Sequence, residues 1–334
     1  MLSRTLHRYR QQSRQIGPGI AACLVVAMAA RFLSEHYGGP VMLFALLIGM
    51  ALHFLYLESR CHEGIEYSGR AILRFGVALL GARLTLEQIQ AFGPTPVLIV
   101  VSGVAATLLF GWLVSRWFGQ SRGFGILTGG AVAICGASAA LAISAVLKKG
   151  KVSDRDTIFT VVSVTALSTL AMIVYPILAN WLALDTRETS VLLGGTIHDV
   201  AQVIGAGYLI SDEVGDLSSV IKLLRVAMLV PVMLLLAVWV GRSDDTAEQA
   251  GSNIPWFILG FTAMVALNSL GLLTPALRGL LIELSNWCLV TAIAALGLKT
   301  QLKELAAVGL RPLALMVSET LFLFLFVLLL IKLL

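Results

Sequence analysis

Two glycine-rich stretches decide how this chain folds: GGAVAICG at residues 129–136 and GGTIHDVAQVIGAG at residues 194–207. Each stretch interrupts an apolar segment with small residues, and the second also carries polar side chains. Apolar segments that are short or broken by glycine, when they occur in corresponding positions of two halves, indicate the ligand site of a membrane carrier. The two stretches therefore predict two discontinuous helices that form one binding site.

The composition is that of a membrane protein. Hydrophobic residues make up 58% of the 334 residues, charged residues make up 13%, and the mean hydropathy is +0.90. A soluble protein would need more polar surface, and an outer-membrane barrel would alternate apolar and polar residues along short strands. We therefore expect an all-α polytopic membrane protein in a lipid bilayer. The net charge of +5 is interpreted as basic residues kept in the cytoplasm, so no nucleic-acid partner is expected.

The cysteines and histidines indicate no metal site. The histidines are not clustered. The four cysteines are scattered along the chain, at Cys23, Cys61, Cys135 and Cys288. We therefore expect neither a disulfide framework nor a structural metal or cofactor site.

Eleven apolar segments are long enough to cross or enter a bilayer. They cover about residues 16–34, 39–57, 70–87, 96–117, 124–147, 157–183, 190–210, 219–241, 254–271, 275–298 and 313–334. The first 15 residues carry four arginines and no acidic residue, so the N-terminus is expected in the cytoplasm. The AMAA stretch at residues 27–30 faintly resembles a signal cleavage site, but we favour an uncleaved first span.

The charges of two loops distinguish between two topologies. The loop after the fifth segment is the most basic one: Lys148, Lys149, Lys151 and Arg155. The loop after the seventh segment is acidic: Asp212, Glu213 and Asp216. If both segments were re-entrant hairpins from opposite faces, the basic loop would lie inside and the acidic loop outside. We therefore prefer nine spans plus two hairpins, with eleven spans as the alternative.

Self-comparison of the sequence predicts an inverted repeat. Residues 40–53 resemble residues 255–268 at an offset of 215, and residues 80–93 resemble residues 296–309 at an offset of 216. With two opposed hairpins, every matched pair runs in opposite directions, which is an inverted-repeat secondary-transporter architecture. We expect one transmembrane transporter domain over residues 1–334, with repeat units at about 39–183 and 190–334. Residues 1–34 form an additional N-terminal helix.

The candidate site residues lie in and beside the two glycine-rich stretches. Glycines allow a ligand to approach the backbone, and the free N–H groups at a helix start attract anions. The expected substrate-binding residues are Gly129, Gly130, Cys135, Gly136, Ser138, Gly194, Gly195, Thr196, His198 and Gln202. His198 and Asp199 are also the expected site of a coupling ion, H⁺ or Na⁺, since ionisable residues inside a membrane usually serve function. The structural alternative is a hydrogen-bond knot that holds the second stretch together.

Other polar residues in apolar segments have simpler interpretations. Arg83 and Lys299 occupy equivalent repeat positions near membrane boundaries, where snorkelling is usual. His53 and Asn268 are also repeat partners. The remaining residues of this kind are Arg74, Arg225, Arg278, Glu283, Asn286 and Glu319. They are interpreted mainly as interface anchors or paired charges, although one of the arginines could bind an oxyanion. No nucleotide-binding loop of the G-x-x-x-x-G-K-[ST] type occurs, which disfavours an ATP-driven pump.

Four motifs resemble the YeiH-type sulfate exporter family. They are ALLGARL at residues 78–84, the run at residues 129–138, GGTIHDVAQV at residues 194–203, and ALGL at residues 295–298. The likeness covers the chain from about residue 17 to its end. It implies a multi-pass transporter of the bacterial inner membrane, grouped with bile acid, arsenite and riboflavin carriers, that exports sulfate or a related anion.

The residues leave several functions open. The leading hypothesis is a secondary transporter of a small inorganic or organic anion by alternating access, not an enzyme. A small carboxylate is an alternative substrate, and a cation/proton exchanger using Asp199 is an alternative mechanism. An intramembrane enzyme with Cys135 as nucleophile and His198 as base is the least favoured hypothesis. A homodimer is also expected to be possible.

Overall fold

The computed structural model describes residues 2–37, 41–57, 59–87, 93–147, 152–240, 256–300 and 310–334. These residues form helices joined by short turns, with no strand among them. Within them, six helices are long and apolar enough to cross a membrane, and four shorter helices are also apolar. An all-α polytopic membrane protein is therefore confirmed. Several residues used in the sequence analysis lie outside the described ranges: Lys148, Lys149, Lys151, Pro40, Pro255 and residues 301–309.

The helices follow the chain in this order. The first five are α1 (Leu2–Tyr37), α2 (Val41–Ala51), α3 (Phe54–Leu57), α4 (Ser59–Tyr67) and α5 (Leu73–Leu80), with a π-helical turn at Ser68–Ile72 before α5. The middle helices are α6 (Thr95–Val114), α7 (Arg122–Ala133), α8 (Ala137–Leu147), α9 (Asp154–Trp181), α10 (Thr186–Thr196) and α11 (Val200–Ile210). The last are α12 (Asp212–Ala227), α13 (Leu229–Val240), α14 (Trp256–Ser269), α15 (Pro275–Lys299) and α16 (Leu310–Leu333).

Side-chain caps fix where several of these helices begin. Ser153 and Asp156 form a capping box at the start of α9, and Asp185 and Glu188 form another at the start of α10. Each box satisfies N–H groups that the first helical turn leaves without partners. The caps therefore define where α9 and α10 begin, which the apolar composition of the chain alone does not show.

The chain divides into two compact units. Unit 1 contains residues 1–87 and 257–301, and unit 2 contains residues 88–256 and 302–334. Both predicted broken segments, α7–α8 and α10–α11, belong to unit 2. The expected single transporter domain and its repeat boundaries stay predictions.

Unit 1 is held by close helix crossings and by polar contacts at helix ends. Gly49 packs against Gly297, where an added Cβ on Gly49 would lie 3.0 Å from the Gly297 Cα atom. His53 Nδ1 donates to the Leu298 carbonyl over 2.7 Å, and Asn268 Nδ2 donates to the Leu84 carbonyl over 2.9 Å. These bonds cap carbonyls that helix ends leave without partners.

The repeat-related charges of unit 1 have side-chain partners. Lys299 forms an ion pair with Glu66 over 2.7 Å, and Arg83 donates to the Asn286 side-chain oxygen over 3.2 Å. Both cations therefore have fixed partners, while their position at a membrane boundary stays a prediction.

Candidate functional site

The two helix breaks of unit 2 meet. The first break covers residues 134–136 between α7 and α8, and the second covers residues 197–199 between α10 and α11. Gly136 has a φ of 64°, in the left-handed region that glycine adopts without strain. A Cβ added to Gly136 would lie 3.6 Å from the His198 carbonyl oxygen and 3.8 Å from the Asp199 Cβ atom. The two stretches singled out from the sequence therefore form one crossing.

Two buried cations from α12 hold this crossing together. The Lys222 ammonium donates to the carbonyl oxygens of Ile134, Ile197 and His198 over 2.6, 2.9 and 2.6 Å. It thereby joins the first break to the second. The Lys222 side chain is fully buried.

Arg225, one helical turn further along α12, binds the second break and the helix ends that lead into both breaks. Its guanidinium donates two hydrogen bonds to the Ala133 carbonyl and one to that of Val132. It also donates to the carbonyls of Gly194 and Ile197 over 3.2 and 2.9 Å. Arg225 is 1% exposed, so these bonds replace its contacts with water.

The donors of both cations are fully used. A lysine ammonium has three N–H donors and an arginine guanidinium has five. Lys222 makes three hydrogen bonds and Arg225 makes five, all to backbone carbonyls of the two breaks or of the helix ends just before them. Neither cation has an N–H left for a ligand, so what they could offer a ligand is their positive charge.

His198 lies inside the crossing with both ring nitrogens occupied. Nδ1 lies 3.0 Å from the Val132 carbonyl oxygen, which can only accept, so Nδ1 carries the proton. Nε2 then accepts from the Thr320 hydroxyl over 3.1 Å. The ring is fully buried, and this is the arrangement of the structural hydrogen-bond knot that the sequence left as an alternative.

Asp199 and Gln202 tie the second break to α9. The Asp199 backbone N–H donates to the Ser168 hydroxyl, while its Oδ1 atom accepts from the Val200 N–H over 2.7 Å. Asp199 thereby caps the start of α11 and is half-buried. Gln202 Nε2 donates to the Thr169 hydroxyl, and Gln202 Oε1 is buried without a hydrogen-bond partner among the described residues.

The glycine pairs of the two stretches lie in helix contacts before the breaks. A Cβ on Gly194 would lie 2.5 Å from the Ser218 carbonyl oxygen. Gly129 faces the Thr107 carbonyl in the same way, and Gly130 faces the Ile143 side chain. Gly195 has more room, since its added Cβ would lie 3.4 Å from the nearest atom. Among these glycine positions, Gly136 alone lies within a break.

The remaining candidates are spread around the crossing. Cys135 is buried in the first break. Thr196 is buried, and its hydroxyl donates to the Leu192 carbonyl one turn back. Ser138 is exposed on the first turn of α8. Of these three, Ser138 has the exposed side chain.

Sequence reasoning missed Lys222 and gave Arg225 no particular role. Residues at i and i+3 lie on one helix face, so a Lys/Arg pair at this spacing inside an apolar segment was a usable signal. Unpaired cations are costly in a membrane, which implies partners. Those partners are backbone carbonyls, which a sequence does not display.

The four helix ends at the crossing differ in charge. The carbonyl ends of α7 and α10 face Lys222 and Arg225, as the helix dipole favours. At the starts of α8 and α11, the first N–H groups have no partner within their own helix. Asp199 takes one of these donors on α11. The start of α8 is partly accessible through Ala137 and Ser138, and its N–H groups favour an anion there.

Comparison with known proteins places the chain among membrane proteins. The family described as "Conserved hypothetical protein 698" matches residues 18–316. A UPF0324 membrane protein of Chlorobaculum tepidum is 53% identical over 92% of this chain and 86% of its own length. The UPF0324 membrane protein TauZ of Paracoccus denitrificans is 48% identical over 93% of both chains. A UPF0324 membrane protein of Rhizobium meliloti is 47% identical over 93% of this chain and 91% of its own.

These relatives agree with the YeiH-type resemblance found in the sequence, and that prediction is confirmed. No solved structure matches the chain significantly. The relation to bile acid, arsenite and riboflavin carriers stays a prediction. The chain is a multi-pass membrane protein that belongs to the Conserved hypothetical protein 698 family, together with the UPF0324 membrane proteins.

Proposed function

We propose that this protein is a secondary transporter of a small anion, such as sulfate, a related sulfur oxyanion or a sulfonate. Transport proceeds by alternating access, is coupled to H⁺ or Na⁺, and serves export across the bacterial inner membrane. The observation that carries the proposal is the charge arrangement at the crossing: two buried cations and the open N-terminal end of α8. In a low-dielectric interior such an arrangement favours a negative ligand.

Contacts along α9 support a re-entrant first segment. The rings of Phe124, near the start of α7, and Phe159, near the start of α9, have centroids 6.0 Å apart. Both helices therefore start at the same end of unit 2. Because α8 ends at Leu147, seven residues before α9, it brings the chain back to the end at which α7 began.

Contacts along α16 support the opposite entry of the second segment. A Cβ added to Gly119, just before α7, would lie 3.8 Å from the guanidinium of Arg311 at the start of α16. Glu188, at the start of α10, forms an ion pair with Lys332 at the end of α16 over 2.7 Å. Since α16 is long enough to cross a membrane, these two contacts support entry of α7 and α10 from opposite sides.

Unit 1 supports the inverted repeat. Gly49 packs against Gly297, and Gly81 packs against Met264. The repeat offsets found in the sequence relate these two glycine contacts: Met264 lies 215 positions after Gly49, and Gly297 lies 216 positions after Gly81. The repeat partners His53 and Asn268 each donate to a carbonyl at the end of the facing helix segment. Repeat symmetry of this kind is typical of secondary transporters.

The alternatives have less support. The Cys135 and His198 enzyme needs a free ring nitrogen, and both nitrogens of His198 have other partners. A cation/proton exchanger at Asp199 fits the half-buried carboxylate, but the neighbouring Lys222 and Arg225 oppose a cation. A small carboxylate fits the same helix end as sulfate. The proposal also includes a cytoplasmic N-terminus and a homodimer.

Thermal unfolding of the purified protein tests the proposal. Sulfate, sulfite, a small sulfonate, a dicarboxylate, sodium and pH are varied one at a time. A ligand that binds only the folded state at 100 times its Kd stabilises it by about 2.7 kcal/mol. We expect one anion to raise the unfolding temperature. Loss of the Ser138 hydroxyl in S138A is expected to weaken its binding by about fivefold, or about 1 kcal/mol.

The control is K332M, because Lys332 lies at the far end of α16 and pairs with Glu188. It is expected to bind the anion as the wild type does. Stabilisation by sodium or protons alone would favour the cation exchanger, and an anion effect that is equal in S138A would contradict a site at the start of α8.

A further inference from the structure

Glu319 is a buried carboxyl beside the crossing that the anion site does not use. It lies on α16 and is fully buried. Its Oε1 atom accepts a hydrogen bond from the Thr128 hydroxyl over 2.8 Å. Its Oε2 atom is buried without a hydrogen-bond partner among the described residues. A buried carboxyl with an oxygen that has no hydrogen-bond partner costs folding free energy, and inside a membrane such a group usually has a function.

Two glycines on facing helices leave the space that this carboxyl occupies. A Cβ added to Gly111 on α6 would lie 2.6 Å from Glu319 Oε1, and one added to Gly129 on α7 would lie 3.6 Å from it. The carboxyl therefore fits between α6 and α7, where a Cβ at position 111 would collide with it and one at position 129 would touch it.

The helices packed against α16 offer this carboxyl no cation partner among the described residues. α6 carries no charged residue. Among the side chains that the structure describes, the other titratable or charged groups on the packed elements and at the second break are Arg116, Arg122, Arg155, Asp156, Tyr175, Arg187, Glu188, His198 and Asp199. The Arg122 guanidinium lies 4.4 Å from the centre of the Trp112 ring, Glu188 pairs with Lys332, and His198 bonds to Val132 and Thr320.

Proton binding is the chemistry that suits a carboxyl in this environment. An ionised carboxylate without a cation is unfavourable in an apolar interior, whereas the protonated acid is neutral. Metal cations need several oxygen ligands, and the Thr128 hydroxyl is the one group bonded to this carboxyl in the described chain. The proton comes from water and returns to water, so the reaction needs no other reactant.

The position of Glu319 connects it to both breaks. Its partner Thr128 lies on α7, the helix that ends at the first break. Its chain neighbour Thr320 bonds to His198 in the second break. We propose that Glu319 is a proton-binding site and that its proton is the coupling ion of transport. This inference rests on the proposed function for the coupling, while proton binding itself is measured separately.

Infrared spectroscopy of the purified protein in lipid tests proton binding without any substrate. A protonated carboxylic acid has a carbonyl stretch separate from the bands of carboxylates. We expect the wild type to show a pH-dependent band of a buried protonated carboxyl, and E319Q to lose it. The matched control E188Q removes the carboxyl that pairs with Lys332 and is expected to keep the band. A wild type without this band, or an E319Q protein that retains it, would overturn the inference.

A second variant covers the case in which E319Q does not fold. T128V replaces the hydroxyl bonded to Glu319 Oε1 with a methyl group of similar size. Loss of this hydrogen bond is expected to shift the band, and an unshifted band would contradict the assignment to Glu319.

Proteoliposomes then separate coupling from transport, with labelled sulfate as the probe. E319Q is expected to retain exchange of labelled for unlabelled sulfate and to lose uptake driven by a pH gradient. Gradient-driven uptake by E319Q equal to that of the wild type would refute the coupling role. A wild type that exchanges none of the tested anions would count against the proposed function, while the infrared result would still decide proton binding.

Discussion

Replacing Lys222 with methionine is expected to loosen the joint between the two breaks. Methionine keeps the approximate length of the side chain but cannot donate a hydrogen bond. The Ile197 carbonyl would keep its bond to Arg225, whereas the carbonyls of Ile134 and His198 would lose the ammonium. A buried acceptor left unsatisfied costs about 1–3 kcal/mol, so the two together cost about 2–6 kcal/mol. Removal of a buried charge offsets part of this cost, and we expect a net loss of about 2–4 kcal/mol.

Equilibrium unfolding in mixed SDS micelles, followed by tryptophan fluorescence, measures this loss. The control is K332M, which also removes a lysine of unit 2 that has a partner. The Lys332 side chain is 51% exposed and pairs with Glu188, so its loss is expected to cost less than about 1 kcal/mol. An unfolding free energy of K222M within about 1 kcal/mol of the wild-type value, as expected for the control, would mean that the bonds from Lys222 to the three carbonyls do not stabilise the protein.

Two further substitutions test the packing and the polar contacts of the crossing. G194A is expected to destabilise the protein, since its Cβ would lie 2.5 Å from the Ser218 carbonyl oxygen; G195A, with 3.4 Å to its nearest neighbour, is expected to be tolerated. Equal unfolding free energies for the two variants would contradict this. T320V removes the hydroxyl bonded to His198 Nε2 and is expected to cost about 1 kcal/mol in the same assay. An unchanged stability would show that this bond contributes nothing.

The sequence predicted the helical membrane fold and the location of the crossing, because both depend on patterns within single segments. Apolar runs of bilayer length are visible in composition, and the broken runs at residues 129–136 and 194–207 mark where helices stop. The sequence did not predict that Gly194 would serve close packing, since this depends on the position of α12.

The role of the two residues that hold the crossing was missed for a physical reason. Lys222 and Arg225 bind carbonyls, which every residue has, so no complementary acidic residue marks their partners in the sequence. His198 was found because an ionisable residue stands out in an apolar run. Its ring contacts with Val132 and Thr320 required the three-dimensional arrangement.

The eight N–H donors of Lys222 and Arg225 are all used by six carbonyls at the crossing. Neither break can shift alone without giving up bonds to side chains that also hold the other break. The crossing is therefore preorganised and is expected to move as one piece, so that binding a ligand there would not require ordering it first. In the proposed transport cycle, a change of shape is therefore expected in the parts of unit 2 that surround the crossing.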